Sequence, residues 1–432
     1  MNCSSSLRIG IKLHLVALSA CLFLRSVGLG QTVGIASYAT LGNPTTAIAT
    51  HDGKYVLVSV TNVGAPNFTG PDSAANARHD VVSGLQIFRG THGALKPYRF
   101  LPLGTPSANS LALLPDGKTI VVGVGDAGVA FVNVQDAIDG KAVPYFAGQG
   151  DGAGTFDVVS SPDGKYVFSF NEYGVIGQSR GNIGIVAVHP DPGGRVTHPE
   201  TIGQLATGDV VPSLALSADG SRLYVASELV PAHDPPHIAD GGNSLLTKED
   251  CVQKKGTPAR PNGFITVIDT QRVIDGQRRA SSVLSRVAAG CSPVRLVETA
   301  DSSALFVSAR GDNRILVFSP RLLESDPEHA LLHAFSTNGE APVGIRLFAE
   351  DRMLAVANSN RFADAPGAAA IFSISKSRDA TTLQTLAAGG FPRNITLSPD
   401  GRSLYLTNYT SRGLQVISTR NFQSSGKRTE PR

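Results

Sequence analysis

The chain has 432 residues, of which 17% are charged, with a formal net charge of +3, 46 Gly, 26 Pro, two Met and no Trp. So even a charge balance, with no basic stripe, leaves no electrostatic footprint for nucleic acid or an anionic membrane surface. Abundant Gly and Pro without long 3.6-residue periodicity argue against a helical architecture and for a turn-rich β protein.

In chain order, the first feature is Arg8 and Lys12, followed by an apolar stretch over 13–24 and small residues ending at Gly28-Leu29-Gly30. This is the expected form of an export signal over residues 1–30, because the apolar stretch is too short to anchor in a bilayer. A competing detail is Leu18-Ser19-Ala20-Cys21, which resembles the lipobox whose Cys becomes the lipidated first residue. The short apolar lead-in from Lys12 to Leu18 favours simple cleavage near Gly30. Either route gives an exported protein, periplasmic or secreted, with membrane attachment only through Cys21. Cleavage removes Arg8, Lys12 and Arg25 and no acid, so the mature chain is neutral.

From residue 34 the chain repeats one phrase: an apolar run, a tight acidic turn and a second apolar run. The turns are His51-Asp52-Gly53, Pro115-Asp116-Gly117, Pro162-Asp163-Gly164, Ala218-Asp219-Gly220, Ala300-Asp301-Ser302, Ala349-Glu350-Asp351 and Pro399-Asp400-Gly401. Their acids are spaced by 64, 47, 56, 82, 49 and 50 residues, a floor near 47 with insertions, which is a β-propeller period. Asp-Gly supplies the positive φ of a hairpin, and no single blade can bury both of its faces. The expected fold is therefore all-β: one seven-bladed propeller over 31–420, in four-stranded antiparallel blades, with a flexible tail over 421–432.

Counting strands A to D outward from the axis, the acidic turn joins A to B. Strand B is expected at 55–61, 120–124, 166–171, 223–227, 305–309, 354–358 and 404–408. Strand C is expected at 84–88, 129–134, 183–188, 264–268, 315–318, 370–374 and 414–417. Strand D ends at Gly104, Gly148, Gly208, Gly290, Gly339 and Gly389. The seventh blade lacks its own D strand, and residues 34–42 are expected to supply it, closing the ring and removing a sheet edge.

The phrases Leu404-Tyr405-Leu406-Thr407-Asn408, Leu223-Tyr224-Val225-Ala226-Ser227 and Tyr55-Val56-Leu57-Val58-Ser59, each after an acidic turn, resemble the Tyr-Val-Thr-Asn repeat propellers and the related lactonase-like seven-bladed propellers. The resemblance covers nearly all of the mature chain and is carried by residues that make the fold. It implies a lactone-opening hydrolase as one function to weigh.

Long insertions fall in B-to-C connections at 62–83, 172–182, 228–263 and 361–367, which places them on the face opposite the acidic turns. Loops on a rigid scaffold are where binding residues sit, so this face is the expected binding face, although surface loops also accept insertions cheaply. Cys251 in the blade-four insertion and Cys291 entering blade five approach the same face, and in an oxidising compartment a disulfide is expected.

Six positions before each turn acid lies a ring of Thr46, Ser110, Asp157, Ser213, Arg295, Gly344 and Asn394, followed by the wholly apolar Ala47, Leu111, Val158, Leu214, Leu296, Ile345 and Ile395. The polar ring reads as a tunnel mouth above a packed wall. Asp157 and Arg295, with Arg346 and Arg393 close by, could hold a polar or anionic ligand. The alternative is a water-filled tunnel with satisfied polar walls. Under a lactonase reading the same arginines would stabilise developing negative charge and Asp157 would orient water.

His233-Asp234-Pro235-Pro236-His237 with Asp240 is the densest set of metal-ligand types, and His79-Asp80 could join it across the face. Two prolines forbid the helix that would give the His spacing force, so a solvated loop competes with a divalent site. No cofactor is otherwise expected. No Gly-x-Ser-x-Gly, His-Glu-x-x-His or phosphate-loop motif is present. The favoured function is an exported binding or scaffold propeller, expected as a monomer, whose inserted face takes a small ligand or an envelope or extracellular partner; the lactonase-like hydrolase is the alternative.

Overall fold

The computed structural model describes residues 34–64, 82–150, 152–172, 181–208, 210, 212–228, 238–239, 263–277, 280–361 and 365–423. The export-signal region, the candidate metal ligands His233, Asp234, His237 and Asp240, the pair His79 and Asp80, and Cys251 lie outside these residues.

Seven four-stranded antiparallel sheets form the blades of a β-propeller. The inner strands are Asn43–Ala49, Ser110–Leu113, Thr155–Ser160, Ser213–Leu216, Pro293–Glu298, Pro342–Phe348 and Pro392–Leu397. Each packs on the next in chain order, and the last packs on the first. The expected closure is present: Ile35–Ala39 is the outer strand of the seventh blade and pairs antiparallel with Gly413–Ser418, from Ile35 opposite Ile417 to Ala39 opposite Gly413. Tyr38 locks this clasp, lying edge-on to Phe88 at 6.0 Å and donating its hydroxyl to the carbonyl of Gly93.

The repeated turn has a local cause. In four blades a hydroxyl two residues before the acid donates to it: Thr50 to Asp52 and Ser161 to Asp163 at 2.6 Å, Ser217 to Asp219 at 2.6 Å, and Ser398 to Asp400 at 2.7 Å. The same carboxylate accepts the backbone N–H two residues on, as from Lys54, Lys165, Ser221 and Arg402. Glycine suits the next position, where φ is 68° to 73° at Gly53, Gly117, Gly164, Gly220 and Gly401, while Ser302 (52°) and Asp351 (59°) take the same left-handed region in the other two blades. Two acids also tie neighbouring blades at this rim. Glu298 accepts the N–H of Ala218 at 2.8 Å and the hydroxyl of Tyr224 at 3.1 Å, and Asp351 accepts the N–H of Ala300 at 2.6 Å.

The wall behind the inner ring is packed as expected, with Ala47, Leu111, Val158, Leu214, Leu296, Ile345 and Ile395 all buried between blades. Short helices the periodicity did not reveal, Val134–Asp139, Thr270–Ile274 and Pro320–Ser325, join strand C to strand D and are capped by Asn133, Asp269 and Ser319. The fourth, Arg420–Gln423, corrects the tail boundary. Phe422 is buried, and its ring meets Phe348 at 6.3 Å, so residues 421–423 are packed onto blade six. Residues 424–432 of the expected tail lie outside the described residues.

Candidate functional site

The rim opposite the acidic turns is built by a backbone device shared by blades three to seven. Nine residues before each turn acid stands a residue in the left-handed region: Gly154 (φ 63°), Val210 (46°), Ser292 (50°), Ala341 (51°) and Phe391 (48°). Four of the five are not glycine, and a left-handed β-branched Val is costly, so the surrounding structure must hold them there. It does so from strand B. The backbone N–H nine residues after each acid donates to these carbonyls: Glu172 to Gly154 (3.1 Å), Glu228 to Val210 (2.9 Å), Arg310 to Ser292 (3.0 Å), Ser359 to Ala341 (3.0 Å) and Tyr409 to Phe391 (2.9 Å).

Directly after this kink the inner strand bulges. The register shifts between Thr155 and Asp157, Pro293 and Arg295, Pro342 and Ile345, and Pro392 and Asn394. A bulge breaks the in-and-out alternation and re-aims side chains. Hence consecutive residues, Phe156 with Asp157 and Arg393 with Asn394, are both only partly buried at the bore.

Phe156 of blade three is met by arginines from two blades that are not its neighbours. The guanidinium carbon of Arg393, from blade seven, lies 4.8 Å from the Phe156 ring centroid, and that of Arg295, from blade five, lies 5.9 Å away. Blades three, five and seven are mutually non-adjacent, so these side chains meet across the axis. They bridge the bore just below its rim. Arg393 also lies 5.1 Å from the ring of Tyr409, which stands edge-on to Phe391 at 5.6 Å, while Arg361 lies 5.7 Å from Phe391. Above the bridge, Arg310 and Glu228 form a buried ion pair at 2.6 Å.

These charges feel one another. Burial pushes the Asp157 carboxyl up, against the pull of Arg295 and the hydrogen bonds it accepts from Ser213 Oγ (3.0 Å) and from the N–H groups of Val158 and Leu214. Burial pushes the Arg295 guanidinium down, opposed by Asp157 and reinforced by Arg310. Arg361 is lowered by burial and then by Arg310. Arg393 is lowered to about 10, by burial first and also by repulsion from Arg295 and Arg361.

Of the ring expected from sequence, the structure brings Asp157, Arg295 and Arg393 together. Thr46, Ser110 and Ser213 are buried instead of lining the bore, and the hydroxyls of two of them staple blades. Thr46 accepts from Asn394 Nδ2 at 3.0 Å between blades one and seven, Ser213 donates to Asp157 between blades four and three, and Ser110 Oγ has no partner among the described residues. Gly344 is there for space, since a Cβ would stand 2.8 Å from the backbone of Asn394. Arg346 belongs elsewhere. It sits opposite Ala355, and burial pushes its guanidinium down against the pull of Asp351 at the turn rim. Among the described residues no group of three or more His, Cys, Asp or Glu is placed to hold a metal. Cys291 is buried where the chain enters blade five.

The residues missed from sequence are Phe156, Glu172, Glu228, Arg310, Arg361, Phe391 and Tyr409. A second count would have found four of them, because Glu172, Glu228, Arg310 and Tyr409 all stand nine positions after a turn acid. Phe156 gives no such signal, since only the bulge turns it to the bore.

The sequence matches no family model and no curated protein. Among solved structures, a chain of the "Crystal Structure of Mitotic Checkpoint Complex" is similar with a TM-score of 0.59 at 13% identity, over 94% of this chain and 99% of that one. The β-propeller domain of Myceliophteria thermophila Cps50 (Swd1) is similar with a TM-score of 0.57 at 12% identity, over 90% and 99%. At such identities the likeness is one of fold, that of a β-propeller.

Proposed function

We propose that this is an exported propeller, akin to the Tyr-Val-Thr-Asn repeat and lactonase-like propellers, whose work is binding at the rim opposite the acidic turns. One observation carries this reading: blades three to seven depart from the repeat at that rim, delivering Phe156, Glu228, Arg295, Arg310, Arg361, Arg393 and Tyr409 to one place. The B-to-C insertions leave the ring at the same end, so they would add to the same surface and extend it toward a larger partner. The expected Cys251–Cys291 bridge fits here too; its support is that Cys291 is disulfide-bonded.

The lactone-opening alternative has less behind it. Asp157, its water-activating group, already accepts bonds from Ser213, Val158 and Leu214, which tie blade three to blade four. An acceptor so engaged is a poor base for substrate water.

The test is a panel of sugars, organic acids and simple lactones offered to the full chain and to a variant in which 241–261 is replaced by a Gly-Ser linker. Ile238 and Ala239 are kept because Ala239 pairs with the outer strand of blade four. Binding predicts a saturable rise in melting temperature without consumption of the compound, weakened in the variant. Lactone consumption would establish the hydrolase instead, and no response to any compound would refute the binding reading.

A further inference from the structure

We propose that the cup above the bore bridge holds the oxyanion of a small molecule, a carboxylate or phosphate group, with Arg393 as its principal ligand and Arg361 and Arg295 beside it. The inference rests on the binding reading above and names its ligand class.

The charges gathered at this rim do not balance. Four guanidinium groups, Arg295, Arg310, Arg361 and Arg393, interact with three carboxylates, Asp157, Glu172 and Glu228. The carboxylates are largely committed. Glu228 is held by Arg310 at 2.6 Å, and Asp157 is held by Ser213 and backbone N–H groups, with burial working against its ionisation. Among the described residues Arg393 has no ion pair and no hydrogen bond; its contacts are the rings of Phe156 and Tyr409. Aromatic rings orient a guanidinium without using its N–H donors. The planar fork is thus held in place with its donors available, and a carboxylate or phosphate matches that fork with two parallel hydrogen bonds. The ligand would also relieve the mutual repulsion of Arg393, Arg361 and Arg295. Phe156, Phe391 and Tyr409 give the cup an apolar lining, which favours an anion carried on an organic body over a bare inorganic one.

Calorimetric titration of the full chain at low ionic strength tests this with inorganic phosphate, a phenyl phosphate ester, citrate and benzoate. The expected result is saturable binding, tighter for an organic anion than for inorganic phosphate, weakening as salt rises. Arg393→Gln should cost roughly tenfold or more in affinity, the scale of a charged hydrogen bond. Arg222→Gln, on the opposite rim where Arg222 pairs with Glu324 at 2.7 Å, should leave it unchanged. Should Arg393→Gln fail to fold, Arg361→Gln, at the start of the blade-six B-to-C connection, carries the same test. Phosphate and carboxylate arms that differ identify the natural group. Equal anion affinity in wild type and Arg393→Gln, or no anion binding at all, overturns the proposal. Binding of neutral sugars but of no anion would overturn it while leaving the binding reading intact.

Discussion

The two rims of the ring are made from the same seven repeats and behave in opposite ways. At the turn rim, hydroxyl, acid and a left-handed residue recur with nearly constant geometry, and most turns satisfy themselves locally, with Glu298 and Asp351 as the ties between blades. At the mouth rim the backbone recurs, with its left-handed residue and its strand-B hydrogen bond, but the side chains it carries do not. There, charges are confined and reach across blades. The repetition specifies the fold, and chemistry collects where side chains escape the repetition while the backbone keeps it.

The comparison is sharpest at the Glu228–Arg310 pair. Glu228→Gln removes the carboxylate that faces the buried Arg310, and a loss of about 3–5 kcal/mol is expected from chemical unfolding, because breaking a buried ion pair from one side costs far more than the intact pair supplies. The joint change of Glu228 and Arg310 to Leu and Met should recover much of that loss. Reduction or Cys291→Ser should cost on the order of 3–4 kcal/mol if the bridge to Cys251 closes a loop of about 40 residues, and mass spectrometry of the unreduced protein checks the linkage directly. Phe156→Leu removes the ring that Arg295 and Arg393 share; a loss of about 1–3 kcal/mol in stability is expected, with the anion affinity of the cup falling alongside. The turn rim should be far more tolerant. Asp163→Asn is expected to cost about 0.5–1.5 kcal/mol in thermal unfolding, with the other blades unaffected.

Acid separates the rims as well. The carboxyls of Asp52, Asp163 and Asp219 are held below the usual range, chiefly by the hydroxyls of Thr50, Ser161 and Ser217. Groups depressed in the folded state contribute stability above their unfolded pKa, about 4, and lose it as pH falls through the folded values. Asp157 is raised, so its ionised form is disfavoured by folding and its protonation supports the native state. A melting profile from pH 7 to pH 2 should therefore fall at acid pH, and Asp163→Asn should flatten that fall while Asp157→Asn should not.

Blade number, closure by the first strand and the polar-to-apolar switch along strand A were legible in the sequence because each follows from a fixed offset to a turn acid. Asp157, Arg295 and Arg393 were legible by the same count. The role of Thr46 and Ser213 was not, since a hydroxyl that staples two blades and one that lines a bore occupy the same register. Arg346 was misplaced beside the mouth because strand phase gives a side chain's height along the axis only after the bulge at Pro342–Ile345 is known. Phe156 was invisible for the same reason. Glu228 and Arg310 lay in plain view but demanded a second count, outward along strand B.

The clasp formed by Ile35–Ala39 on Gly413–Ser418 has a consequence in time. The first-made segment of the ring finds its neighbour only when the last blade has been made, so through synthesis the nascent circle stays a growing arc with two raw edges. Both ends must be present together before the first and last blades have their full complement of neighbours, and trimming either terminus would release the same seam.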